Sequence, residues 1–83
     1  MWKVVITKQA KKDLVNIYRA GLKSKFEKLV EEIKKDPYTS QCEKLIGDLE
    51  GYYSCRINRK HRLVYEIDDE QKIVKIVSVW NHY

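Results

Sequence analysis

The last apolar run of the chain, Ile73-Val74-Lys75-Ile76-Val77-Ser78-Val79, restricts the fold more than any other stretch. It is β-branched nearly throughout, and it follows an acidic turn, Asp68-Asp69-Glu70-Gln71. That combination reads as a strand over residues 72–80. So few polar positions are expected of a strand with both faces largely covered. An 83-residue chain must therefore spend most of its remaining apolar residues on covering it.

The preceding segments have the periods needed for that. Residues 2–7 nearly alternate, with Trp2, Val4 and Ile6 on one face, and read as a first strand. Thr7 is placed to cap a helix. Over residues 8–19 the period changes: Ala10, Leu14 and Ile17 recur at helical spacing, with Val15 and Tyr18 beside them. Lys8, Lys11, Lys12 and Asp13 lie mostly off that apolar stripe. Gly21 ends the helix. Leu22, Phe26, Leu29, Val30 and Ile33 define a second helix over 22–35, stopped by Asp36-Pro37. The short link makes an antiparallel helical hairpin.

Residues 37–50, PYTSQCEKLIGDLE, form a long polar connection, a length often associated with function. Lys44-Leu45-Ile46 could anchor it to the core. Two further strands follow at 52–57 and 61–68, joined tightly by Asn58-Arg59-Lys60. The order β-α-α-β-β-β predicts a single α+β domain over residues 1–83. Its antiparallel sheet carries the N-terminal helical hairpin on one face and leaves the other face for a partner.

The hairpin of strands 52–57 and 61–68 has a register with chemical consequences. If Ile57 pairs with His61, Arg56 stands opposite Arg62 on one face. Two facing cations repel, so this register implies an anion between them. A one-residue slip removes the implication. Arg59 and Lys60 extend the cationic cluster, with no acid among the four. Charge runs are usually solvated hairpin tips. The sharper reading is a phosphate-binding surface, with Tyr53 and its neighbour Tyr52 available to stack on bases.

The whole chain is basic, with 17 Lys and Arg against 12 Asp and Glu, which suits nucleic acid or an acidic protein. Two cysteines, Cys42 and Cys55, form no metal-binding spacing, and no base is evident beside either. A disulfide framework is not expected, so a reducing cytoplasm is the predicted location. The N-terminal apolar run is too short for a signal peptide or membrane span. Neither a metal site nor a cofactor is predicted. The chain ends on His82-Tyr83, just beyond the apolar strand, where an imidazole could move a proton at neutral pH. His61, beside Lys60 and Arg62, reads as structural or substrate-contacting. Glu43 has no special status on composition. Yet Glu, Arg and His on a basic surface suit one reaction, cleavage of RNA by its own 2′-hydroxyl.

Glu43-Lys44-Leu45, Gly51-Tyr52-Tyr53-Ser54, Arg56-Ile57-Asn58, His61-Arg62-Leu63-Val64-Tyr65 and the closing His82-Tyr83 together resemble the Txe/YoeB toxins of bacterial type II toxin–antitoxin modules, within the RelE/ParE-like superfamily. The resemblance covers essentially the whole chain. It implies a small α+β fold and ribosome-dependent mRNA cleavage in the A site, with the 70S ribosome and mRNA as partners. It further implies neutralisation by a cognate YefM/Axe-like, Phd-type antitoxin, and it allows a homodimer. By position, Glu43 corresponds to the general base, Arg62 to the transition-state arginine, His82 to the general acid and Tyr83 to a terminal residue ordering the site. Arg56 corresponds to a supporting cation. Cys55 stands where relatives often carry the first of two arginines, and the loop before Glu43 lacks their Gly/Pro-rich run. The superfamily also includes toxins that inhibit DNA gyrase by binding, a non-catalytic alternative.

Overall fold

Thr7 is the hinge between the first strand and the first helix. In the computed structural model, which describes all residues except 48, 49 and 80–83, its hydroxyl accepts the Ala10 N–H at 3.2 Å. Its own N–H donates to the Ile76 carbonyl at 3.1 Å. One residue thus caps helix α1 (Lys8–Arg19) and ties strand β1 (Lys3–Ile6) to strand β5 (Ile73–Ser78).

Helix α1 ends as its glycine requires. Gly21 has φ +76°, its N–H donates to Tyr18, and the Leu22 N–H reaches back to Ile17. This is the six-to-one, five-to-two pattern of a glycine-closed helix, with buried Leu22 packed in the same core as Ile17. Helix α2 (Lys23–Lys35) follows at once and ends before Pro37, as the sequence predicts.

The sheet has five strands in the order β1-β5-β4-β3-β2, where β2 is Cys42–Lys44, β3 is Tyr52–Arg56 and β4 is Arg62–Asp68. The α+β class and the helix-then-meander order hold, with two differences from expectation. The long connection contains a strand of its own, β2. The sheet is mixed, because β1 joins β5 in parallel register, Lys3 with Ile73 through Ile6 with Ile76. The helical hairpin carries the chain far enough from β1 for such a parallel return.

These pairings place β5 between two neighbours. On the helix side Val74 and Ile76 are fully buried with Ala10, Ile17, Phe26, Ile33, Leu63 and Tyr65. On the other side Ile73 and Val77 are only half-buried and Lys75 is exposed, so cover there is partial where the apolar run suggested more. Opposite Val64–Tyr65 the register slips, adding one residue to β5.

Asp13 departs from the expected solvated helix face. It is buried, and its carboxylate accepts from the Val79 N–H at 3.2 Å and from Gln9 Nε2 at 3.0 Å. The end of the β5 run is thereby held to α1 by a charge-assisted hydrogen bond.

A ladder of aromatic rings ties the segment after α2 to the sheet. Tyr53 stacks on Tyr65 at 5.6 Å, and Tyr38 meets Tyr53 edge-on at 5.8 Å. The Tyr65 hydroxyl donates to the buried Pro37 carbonyl at 2.6 Å, and the Tyr38 hydroxyl to Asp69 at 2.6 Å. Among the described residues, no helix is long and apolar enough to cross a membrane.

Two stability experiments test this account. Gly21→Ala leaves open space for the new Cβ but strains a left-handed backbone. It should lower unfolding free energy by about 1 kcal/mol with an unchanged denaturant slope. The second is alkaline titration. The hydrogen bond to Asp69 pushes the Tyr38 phenol from 10.0 up to about 12. Burial pushes Tyr65 up as well. Both phenols are raised in the fold, so their contribution is complete below pH 10 and is lost as pH climbs through about 12 and beyond. Denaturant midpoints measured across that range should fall, and Tyr65→Phe should flatten the decline.

Candidate active site

The β3–β4 turn sets the site. Asn58 Oδ1 accepts the Lys60 and His61 N–H groups at 2.9 and 2.8 Å, and the Ile57 N–H donates to the His61 carbonyl at 2.8 Å. Ile57 and His61 therefore face each other, and the next pair along the ladder is Arg56 with Arg62. That pair is non-hydrogen-bonded, the kind in which opposing side chains approach most closely. Of the two registers the sequence allowed, this is the one that sets cation against cation.

Strand β2 adds the carboxylate. Glu43 lies opposite Ser54, which shares a face with Arg56 because strand side chains alternate. Glu43, Ser54, Arg56 and Arg62 thus project together from the face away from the helices. Arg62 Nη1 donates to Glu43 Oε1 at 3.2 Å and lies 3.5 Å from Ser54 Oγ. Ser40, Gln41 and Cys42 complete the wall of a cleft of about 220 Å³.

The two partners of the ion pair differ in environment. The Arg62 side chain is 23% exposed and Glu43 is 69% exposed, so the arginine is held while the carboxylate is open to solvent. Such an open pair contributes little to stability and is readily exchanged. Among the described residues, one carboxylate at the cleft faces two guanidinium charges. The cleft is suited to an incoming anion that displaces Glu43 from Arg62.

A second groove, of about 360 Å³, adjoins the first through Gln41 and Arg56 and leads to Lys25 and Lys28 on α2, with Glu32 the single acid among its described lining residues. A larger hollow of about 650 Å³ lies near the β4–β5 turn, but Glu66, Asp68, Asp69 and Glu70 line it, which disfavours phosphate. Among the described residues, no group of three His, Cys, Asp or Glu side chains gathers as a metal site.

The residues expected at the site are distributed unevenly. Glu43, Arg56 and Arg62 come together. Arg59 and Lys60 lie on the exposed hairpin tip, beyond the cleft. Tyr53 is on the opposite face, stacked against Tyr65 and packed on the core, and the fold does not bring it to the arginines. His82 and Tyr83 lie outside the described residues. Ser54 and Gln41 also line the cleft and are not among the residues expected there. The alternation from Arg56 could have signalled Ser54, whereas nothing in the sequence marked Gln41.

The cysteines also differ from expectation. Cys42 and Cys55 are directly opposite in the β2–β3 register and form a disulfide. Thirteen residues apart in sequence, they are brought together only by the cross-strand pairing of β2 with β3.

Residues 4–83 match the family described as ParE toxin of type II toxin-antitoxin system, parDE. The chain is also 43% identical over 58 residues to Toxin YoeB of Streptomyces coelicolor, an alignment spanning 68% of this chain and 67% of that one. This chain belongs to the YoeB toxins of the ParE/RelE-like family. The fold agrees. A YoeB/ParE toxin from Agrobacterium tumefaciens superposes with TM-score 0.87 at 29% identity, covering 98% of this chain and 99% of that one. The YoeB of Staphylococcus aureus, 33% identical, has been solved in a YoeB–YefM complex, with TM-score 0.79 over 100% of this chain and 99% of that one. It has also been solved as a dimer, with TM-score 0.82 over 99% and 98%.

The facing arginines generate a prediction for this toxin in isolation. Without an anion they repel, so Arg56→Gln should raise its stability by about 0.5 kcal/mol at low ionic strength. The gain should shrink as salt is added. Chemical denaturation in low and high salt measures both effects, and a loss of stability in low salt would contradict the arrangement.

Proposed function

We propose that this toxin is an mRNA endonuclease that acts on translating ribosomes in the cytoplasm, cutting the message in the A site and stopping protein synthesis. The observation that carries the reading is the Glu43–Arg62 contact in a cleft that also holds Arg56.

In the proposed reaction, the scissile phosphate enters between Arg56 and Arg62 and takes the place of Glu43 on the Arg62 guanidinium. The freed Glu43 carboxylate removes the proton of the 2′-hydroxyl. The 2′-oxygen attacks phosphorus, and the charge that builds on the phosphorane oxygens is met by guanidinium donors. The 5′-oxygen leaves with a proton from His82, in the role that the family resemblance assigns to that residue, with Tyr83 ordering it. The products are a 2′,3′-cyclic phosphate and a 5′-hydroxyl. Flanking phosphates run from Arg56 toward Lys25 and Lys28, and Arg59 and Lys60 add long-range attraction to ribosomal RNA.

The S. aureus YoeB–YefM complex supports a partner of the same kind here, a YefM-like antitoxin with an acidic segment that folds on the toxin, and its dimer supports self-association.

The test is cleavage of a defined message on purified ribosomes, with mapped 5′ ends. Arg62→Ala should lower the rate by about 10² to 10³. Glu43→Gln and His82→Ala should each lower it by roughly 10² to 10⁴. All three should keep native far-UV dichroism and abolish growth arrest. Wild-type rates in the Arg62 or Glu43 variant would sink the site. Intact messages accompanied by DNA damage would favour the gyrase-binding alternative.

A further inference from the structure

The Cys42–Cys55 bond lies one residue from Glu43 on β2 and one residue from both Ser54 and Arg56 on β3. Its Cα atoms are 4.3 Å apart. The Leu45 N–H donates to the Tyr52 carbonyl at 2.9 Å, so 45/52 and 43/54 are the hydrogen-bonded pairs and 42/55 is the close, non-hydrogen-bonded one.

Strand β2 is otherwise weakly held. It is three residues long, it forms one edge of the sheet, and Glu43 and Lys44 are exposed. The two residues differ in access: Cys55 is fully buried, while Cys42 is only half-buried. A covalent tie on an edge strand, open to solvent on one side only and next to the carboxylate of the site, is more than a staple for the core.

We propose that Cys42–Cys55 is a redox-modification site that sets the position of Glu43. Oxidised, it locks β2 in the register that holds Glu43 against Arg62. Reduced, it releases the strand and the carboxylate with it. The effect on catalysis rests on the reading of Glu43 as the general base.

The reductant is a dithiol. One of its thiolates attacks the sulfur of Cys42, the less buried of the two residues, and forms a mixed disulfide, and Cys55 leaves as a thiolate that takes up a proton. The second thiol of the reductant, as thiolate, attacks its own partner sulfur and expels Cys42, which is protonated in turn. The toxin gains two electrons and two protons, and the dithiol becomes a cyclic disulfide. Exchange with a cyclic disulfide reverses the sequence.

The whole toxin is assayed with and without excess dithiothreitol, by amide exchange and by cleavage on ribosomes. Reduction should raise exchange at the Glu43 and Leu45 amides about tenfold or more, leaving β4 and β5 protected. Cleavage should slow by about tenfold to a hundredfold, as expected when a catalytic group is misplaced. In Glu43→Gln protein, reduction should produce no further fall. A Cys42→Val, Cys55→Val double variant keeps an apolar cross-strand pair, and it should match the reduced protein and ignore the dithiol. Unchanged exchange on reduction, or a uniform rise through the sheet, would overturn the clamp. An equal fractional fall in the Glu43→Gln protein would make the bond a general staple and overturn the link to Glu43. If no form cleaves RNA, the nuclease reading fails and the exchange pattern alone decides the clamp.

Discussion

Everything in this fold depends on what β5 requires. Its backbone needs hydrogen-bonding partners on both edges, and Val74 and Ile76 need an apolar layer above them. The helical hairpin provides the layer, and β1 and β4 provide the partners. Once β5 takes the place beside β1, the antiparallel meander can extend in one direction only. β4, β3 and β2 then follow outward in turn, and the chemistry falls at the far edge. The helices occupy one face, so Glu43, Ser54, Arg56 and Arg62 are left projecting from the other.

That outer edge trades stability for function. Arg56 and Arg62 face each other, and the Glu43 carboxylate contacts only Arg62 among the described residues, an arrangement a protein selected for stability alone would avoid. The strand that supplies the carboxylate is the shortest in the sheet. Its placement relies on the Tyr65–Pro37 and Tyr38–Asp69 hydrogen bonds before it and the Cys42–Cys55 bond within it. A loosely held acid beside a firmly held cation suits the exchange with substrate proposed for Glu43.

Tyr53 and Asp13 show how burial redirects side chains that look functional or inert. Tyr53 sits beside the basic cluster in sequence, but alternation sends it to the helix side, into the stack with Tyr65. Asp13 looks like one more solvated charge on α1, yet it is buried and holds the Val79 N–H. Neither outcome follows from residue type. The first depends on strand parity relative to Arg56, the second on which turn of the helix meets the end of β5.

Elements whose signals are local and periodic can be read from the chain alone. The Ala10-Leu14-Ile17 and Phe26-Leu29-Val30-Ile33 stripes, the Gly21 and Pro37 stops, and the alternation of β4 are all decided within a few residues. Their order was enough for the α+β class, and the Ile57–His61 turn was enough to raise the Arg56–Arg62 pairing. The parallel entry of β1, the existence of β2, the disulfide and the contact between Glu43 and Arg62 emerge only when the chain is folded. Each of these joins residues distant along the chain. The three residues of β2 have no period long enough to read, and they become a strand only because β3 offers them an edge.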